Sequence, residues 1–412
     1  MNRVIANLEA LHHNLAVVDR WMQRHDAQWT LVTKALCGHH SLIDVLHGIG
    51  VRSVGDSRID NLRTIRSVSP DMETWYLRGP GLGSIAETVE VADISLNSEA
   101  ETIHAINREA GKTGKLHRVV IMIELGDLRE GILPGTLVRF YDEVFQLENL
   151  EVIGIGANLG CLAGVVPNID QYMQLLLYRE LLELKFDHKL KVISAGTSAT
   201  LPLVLDSTLP KSINHFRIGE AVLLGTDLIN GGTLSGLRND VFTLEAELIE
   251  IKQKSLVPMT ETGDVNPFQS QNNDDEEVRP GERGYRALVN IGELDTDIGG
   301  LTPENPNYKI AGASSDITVL NVGDSPGGLS LGDGVRFRLS YAALVRLMGN
   351  RYTAIEIDPP AGRFRPLTTD EGQVSVPPVI ERTKPAANEA LGRNPNSASK
   401  RERPGKPKGA HV

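Results

Sequence analysis

The chain has 412 residues, 41% of them hydrophobic, enough to bury large cores and, by length, to form two or three domains. A formal charge of -11 argues against nucleic acid or an anionic membrane surface as principal partner. Two cysteines, Cys37 and Cys161, exclude a disulfide framework, no apolar run is long enough to span a bilayer, and the start lacks a basic stretch leading into an apolar core, so the chain reads as cytoplasmic.

Arg3 to Ala6 is strand-like and precedes a first helix. Eight short β-branched runs then follow: Trp29 to Thr33, Val51 to Val54, Thr74 to Leu77, Ile94 to Leu96, Val119 to Ile123, Val152 to Ile155, Val192 to Ser194 and Phe216 to Ile218. Between them lie segments with apolar residues at helical spacing, among them Ile59 to Val68, Ser84 to Val91, Glu99 to Thr113, Thr136 to Leu147 and Ile169 to Phe186. Strand and helix alternating at this pitch predict a parallel sheet. Eight repeats within residues 8–225 fit a (β/α)8 barrel better than a doubly wound open sheet.

After Gly225 the pattern changes to runs that read as strands without long helices between them, from Phe242 to Lys252 through Thr353 to Ile357. Residues 226–358, with 1–7 returning to join them, are predicted to form a mostly β second domain. Residues 254–284, polar around Gln269 to Glu277, read as an excursion between two of its strands. From Pro359 to Val412 the chain holds nine of its 21 prolines and ten Lys or Arg against five Asp or Glu. That composition buries too little surface to offset chain entropy, so it predicts a disordered basic tail.

Barrel chemistry sits at the carboxyl ends of the strands, so those positions form a list of candidates. Lys34 follows the first run and leads through Cys37 into a Gly38-His39-His40 turn. An amine held in apolar surroundings loses pKa and becomes a nucleophile, the condition for a Schiff base with an aldehyde cofactor. After the second and third strands come Asp56-Ser57-Arg58 and Arg78; Arg129 and Asn158 follow the fifth and sixth. Ala195-Gly196-Thr197-Ser198 and Arg217-Ile218-Gly219-Glu220 look like phosphate-holding loops, with Glu220 expected to point away from an anion.

These residues resemble the fold type III pyridoxal-phosphate enzymes, the alanine racemase group, and within it the alanine/ornithine racemase family. The resemblance runs from Arg3 to Ile357 and rests on ordered motifs: Val32-Thr33-Lys34, Gly55-Asp56-Ser57-Arg58, Ala92 to Glu99, Leu125-Gly126-Asp127-Leu128-Arg129-Glu130-Gly131, Arg217-Ile218-Gly219-Glu220-Ala221 and Gly312-Ala313-Ser314-Ser315-Asp316. It implies a pyridoxal 5'-phosphate-dependent amino-acid racemase, homodimeric, with a free amino acid such as ornithine as substrate. By the same resemblance Lys34 holds the cofactor and acts as base on one face of the α-carbon. Arg129 lies near the cofactor phenolate and Asn158 beside the ring. Ser198, the Gly219 backbone and Tyr341 contact the phosphate, and Arg217 faces the pyridine nitrogen.

The sequence departs from the family pattern where the second proton-transfer group should stand. No tyrosine occupies that place in Ile291-Gly292-Glu293-Leu294-Asp295, and Asp295 is the candidate donor, with Glu293 and Asp316 as neighbours. Two alternatives stay open at this point. One is a cofactor-binding carrier or regulatory protein without turnover; the other is a metal-assisted D-amino-acid aldolase of the same fold. No compact His and Cys pair suggests a metal.

Overall fold

The computed structural model describes residues 2–160, 164–258, 260, 281–364 and 378–379. Strand β1 (Arg3–Asn7) leads into helix α1 (Leu8–His25), which starts where the Asn7 side chain accepts the Ala10 N–H and stops where Asp26 turns left-handed. Eight parallel strands then close on themselves: β2 (Gln28–Val32), β3 (Ser53–Asp56), β4 (Glu73–Tyr76), β5 (Ile94–Asn97), β6 (His117–Met122), β7 (Leu150–Gly156), β8 (Val192–Thr197) and β9 (His215–Ile218). The seam is β2 against β9, with Trp29 opposite Phe216 and Leu31 opposite Ile218.

Helices α2 (His40–Gly48), α3 (Ile59–Val68), α4 (Ile85–Val91), α5 (Ala100–Thr113), α6 (Leu137–Val144), α7 (Ile169–Phe186), α8 (Leu201–Leu205) and α9 (Glu220–Leu224) follow the barrel strands in turn. Each long one buries a stripe against the barrel, as Ile103, Ile106 and Ala110 do in α5. This is the barrel the alternation predicts. Strand boundaries shift by up to three residues: polar Glu73, His117 and His215 open strands, and β8 runs on through Ala195 to Thr197.

The second domain is an antiparallel sheet with the order β12-β15-β10-β11-β14-β13, from β10 (Phe242–Ser255), β11 (Arg283–Val289), β12 (Leu301–Pro303), β13 (Lys309–Ala313), β14 (Thr318–Gly323) and β15 (Gly334–Leu339). Strand β1 joins it, antiparallel to β10 and parallel to β16 (Ala354–Asp358). This is the mostly β domain expected; among its strands lies one short helix that the sequence reading did not single out, α10 (Tyr341–Gly349), which buries Ala343, Leu344, Leu347 and Met348 and starts where Ser340 Oγ accepts the Ala343 N–H. Most of the predicted excursion and most of the predicted tail lie outside the described residues, as does Cys161. Of the tail, Phe364 meets the edge of the His12 ring at 5.8 Å, and buried Val379 donates its N–H to Glu73 Oε2 at 2.9 Å.

Candidate active site

A cavity of about 520 Å3 opens at the carboxyl ends of the barrel strands. Its lining includes Lys34, Arg129, Asn158, Ser198, Arg217, Gly219 and Tyr341, so seven residues from six separate segments meet at one mouth. Asp295 is not among them within this chain.

Lys34 begins a single helical turn after β2, and the backbone then passes through left-handed Cys37 and Gly38. Two neighbours fix this turn. Buried Asp56 accepts from Thr33 Oγ1 at 3.0 Å, from the Arg58 N–H at 2.9 Å and from Asn61 Nδ2 at 3.1 Å, which locks the loop after β3 to the residue before the lysine. From the second domain α10 presses on the same turn: Cys37 Sγ lies 3.8 Å from the Val345 carbonyl, and Lys34 Nζ stands 5.8 Å from the centre of the Tyr341 ring. The lysine side chain itself is exposed to the cavity, whereas the sequence suggested apolar confinement.

One wall of the cavity is small and hydroxyl-rich. Thr197 ends β8 and Ser198 follows it, Ser198 Oγ accepts the Ala221 N–H at 3.2 Å, and Gly219 lets β9 pass close to β2. A Cβ on Gly219 would stand 2.9 Å from Val32 Cβ and 3.0 Å from its carbonyl oxygen, so a side chain there would push the two strands apart.

Deeper in, four polar side chains form one connected arc. Arg217 is buried and donates from Nη2 to the Ala157 carbonyl at 2.9 Å and to Asn158 Oδ1 at 2.6 Å. Asn158 Nδ2 donates to Glu130 Oε1, and Arg129 donates to both carboxylate oxygens of Glu130, from Nε at 3.0 Å and from Nη2 at 2.9 Å. Glu130 was missed as a site residue; it stands beside Arg129 in the quoted motif, but its partner Asn158 is 28 residues away and no local signal links them.

Glu220 also lines the cavity, against the expectation that it points away. Burial raises its carboxyl pKa above the ordinary range, while the Lys34 charge and a hydrogen bond from Thr226 pull it back. The carboxyl group and the lysine amine line the same cavity, within electrostatic reach of each other.

Asp295 lies in a turn of the second domain. Its Oδ2 accepts the Gly292 N–H at 3.1 Å and its Oδ1 accepts from Asn350 Nδ2 at 3.2 Å. Glu293 and Leu294 bond through their N–H groups to the carbonyls of Ser314 and Ser315, so the Ile291 to Asp295 and Gly312 to Asp316 motifs share one surface. Leu294 at its tip is 80% exposed. Among the described residues, no three His, Cys, Asp or Glu side chains come together to hold a metal ion. None of the described helices is long and apolar enough to cross a membrane.

The arrangement offers a primary amine at one edge, a donor-rich wall of small residues at another, and a fixed guanidinium between them at depth. An aromatic aldehyde with an anionic arm has complementary groups for all three.

Comparison with known proteins agrees. A family model described as alanine racemase, N-terminal domain, matches residues 6–227. An ornithine racemase from Acetoanaerobium sticklandii is 34% identical over 357 residues, spanning 86% of this chain and 99% of that protein. A lysine racemase from Thermotoga maritima is 30% identical over 359 residues, 87% of this chain and 98% of that protein. A crystal structure of alanine racemase from Bartonella henselae with covalently bound pyridoxal phosphate has the same fold, with a TM-score of 0.65 at 15% identity over 86% of this chain and 99% of that one.

Proposed function

The chain belongs to the alanine racemase family, and from that premise we propose that it binds pyridoxal 5'-phosphate at Lys34 and, as an amino-acid racemase, interconverts the enantiomers of a free basic amino acid such as ornithine or lysine. The observation that carries the cofactor assignment is the convergence of Lys34, Arg217, Ser198, Gly219 and Tyr341 on one cavity. Residues 8–225 form the cofactor-binding barrel in this reading, and 1–7 with 226–358 the β-rich domain. Two cysteines suit a reducing compartment, and we place the enzyme in the cytoplasm.

When bound, the cofactor supplies an aldehyde carbon for amines to condense with and a conjugated ring that takes up the charge left when the α-proton departs. The chain supplies the rest. Ser198 and the Gly219 backbone would hold the anionic arm, assisted by the Tyr341 hydroxyl. Arg217 can only donate hydrogen bonds, so a ring nitrogen held against it would have to accept and would stay unprotonated. Held in this way, the ring would draw in less charge, which would favour return of the proton over side reactions. Arg129, held by Glu130, would serve the ring oxygen, and Asn158 would support the ring. Lys34 Nζ takes or returns the proton on one face of the α-carbon.

The opposite face needs a second group, and we assign it to Asp295 of a second copy of the chain in a homodimer. The 80% exposed Leu294 beside Asp295 supports a covered surface there. Proton exchange tests the whole reading. The protein loaded with pyridoxal phosphate is incubated in deuterated water with single enantiomers of ornithine, lysine and alanine. Deuterium at the α-carbon with loss of optical rotation, fastest for a basic amino acid, is expected. Cofactor binding without exchange for any amino acid would favour the carrier reading instead.

A further inference from the structure

Barrel interiors are usually filled with Val, Ile and Leu, yet here a file of polar side chains runs from the cavity to the opposite end. Arg217 Nη1 donates to the Ser194 carbonyl at 2.6 Å and to Ser194 Oγ. Ser194 Oγ is 2.8 Å from His215 Nδ1, and His215 Nε2 is 3.1 Å from Thr30 Oγ1. Thr30 Oγ1 is 2.8 Å from Ser53 Oγ, which donates to Glu73 Oε2 at 3.1 Å. Glu73 is itself clamped by Arg118 Nη1 at 3.2 Å, Trp75 Nε1 at 2.9 Å and the Val379 N–H at 2.9 Å. Trp75 stacks on His215 with ring centres 4.4 Å apart and planes 10° from parallel.

The two ends decide the direction of every bond between them. The Glu73 carboxylate only accepts, so the single hydroxyl proton of Ser53 points to it, and the Thr30 proton must then point to Ser53. Thr30 therefore accepts from His215, which places the imidazole proton on Nε2. Burial, with Arg217 nearby, holds the His215 pKa well below the ordinary histidine value, so the ring is neutral and its Nδ1 is an acceptor. The Ser194 hydroxyl donates to that nitrogen and leaves its lone pairs to Arg217. Each link is the only one consistent with its neighbours.

We propose that His215 is a positioning residue for Arg217, the middle of a one-way chain of hydrogen bonds from Arg217 through Ser194, His215, Thr30 and Ser53 to Glu73 that fixes the guanidinium at the base of the cavity. The inference rests on the reading that Arg217 meets the cofactor ring. Removing a link far from the cavity should loosen the guanidinium without touching anything that contacts cofactor or substrate.

Thr30→Val keeps the shape of the side chain and removes the link; Thr30→Ser keeps the link. In the cofactor-free protein with labelled histidine and arginine, long-range proton–nitrogen spectra should show His215 neutral and protonated on Nε2 across the neutral pH range. Exchange of the Arg217 guanidinium protons with water should be faster in Thr30→Val by about tenfold, the worth of one buried hydrogen bond, and restored in Thr30→Ser. In the loaded protein Thr30→Val should move the visible cofactor band and lower kcat with KM nearly unchanged, and Thr30→Ser should reverse both. A His215 proton on Nδ1, a charged ring, or unchanged Arg217 exchange in Thr30→Val overturns the proposal. Absence of any cofactor band in the wild type would instead defeat the cofactor reading, while the tautomer and exchange results would still decide the chain.

Discussion

Glu130→Gln tests whether the arc of polar residues under the cavity is functional or a surface ion pair. Three donors converge on the Glu130 carboxylate: Arg129 Nε at Oε2, and Arg129 Nη2 with Asn158 Nδ2 at Oε1. A glutamine has one acceptor oxygen, and the less costly flip keeps it where two donors meet. The amide nitrogen then faces Arg129 Nε, and one charge-assisted bond is lost. Such a bond is worth roughly 1.5–3 kcal/mol, and if Arg129 and Asn158 must be held for catalysis, kcat/KM falls by about 10- to 100-fold. An exposed pair of the ordinary kind is worth about 0–1 kcal/mol and would change it by a few-fold at most. The assay is the initial rate of optical-rotation loss for the preferred amino acid, with urea unfolding as the control for stability. A fall in kcat/KM of less than about threefold would refute the reasoning, because the pair would then be surface decoration.

Lys34→Ala should abolish the visible absorbance of the loaded protein, and an unchanged spectrum would remove the lysine from the site. Mixing inactive Lys34→Ala with inactive Asp295→Asn chains should restore roughly a quarter of wild-type activity, since half of randomly formed dimers carry one intact composite site of two. No recovery in dimers shown to have exchanged subunits would take Asp295 out of the reaction, and sedimentation as a monomer would remove the dimer. Buried His117, bonded to Ser95 Oγ at 2.9 Å, has its pKa pushed down to about 4 from an ordinary 6.5. The unfolded chain binds the extra proton first, so stability falls as pH drops from the unfolded value towards the folded one, and urea unfolding at pH 7 and pH 5 should differ by roughly 2 kcal/mol more in wild type than in His117→Gln.

Much of the architecture was legible because period is a local property. Helices such as Ile59–Val68 and Ile169–Phe186 carry their apolar stripes in consecutive residues, and strand ends follow from the alternation. The same logic brought Lys34, Arg129, Asn158, Ser198, Arg217 and Gly219 into view, since each follows or closes a barrel strand. Tyr341 came from family resemblance, and its helix was missed although Ser340 followed by Tyr341 to Gly349 has a cap and helical apolar spacing; short strands on either side masked it. What no local pattern could give is pairing across the barrel. Glu130 to Asn158, Thr30 to His215 and Ser53 to Glu73 become neighbours only when β2 closes on β9 and the strands take their register.

Glu220 shows how a correct rule can give the wrong orientation. A carboxylate repels a phosphate, so the sequence reading turned Glu220 outward, yet the amine of Lys34 lines the same cavity and an amine charge attracts a carboxylate as strongly as an anion repels it. Both can hold if the anionic arm takes the Ser198 and Gly219 wall and Glu220 faces the lysine side. The charge balance is testable without turnover. Burial raises the Glu220 pKa and the Lys34 charge opposes that rise, so removing the charge in Lys34→Ala must move the carboxyl further up. Carbon-detected titration of labelled glutamate side chains in the cofactor-free protein should therefore find Glu220 protonating at higher pH in Lys34→Ala than in wild type. An unmoved or lower titration would mean that the two groups do not share the cavity, and the phosphate-repulsion rule would regain its force.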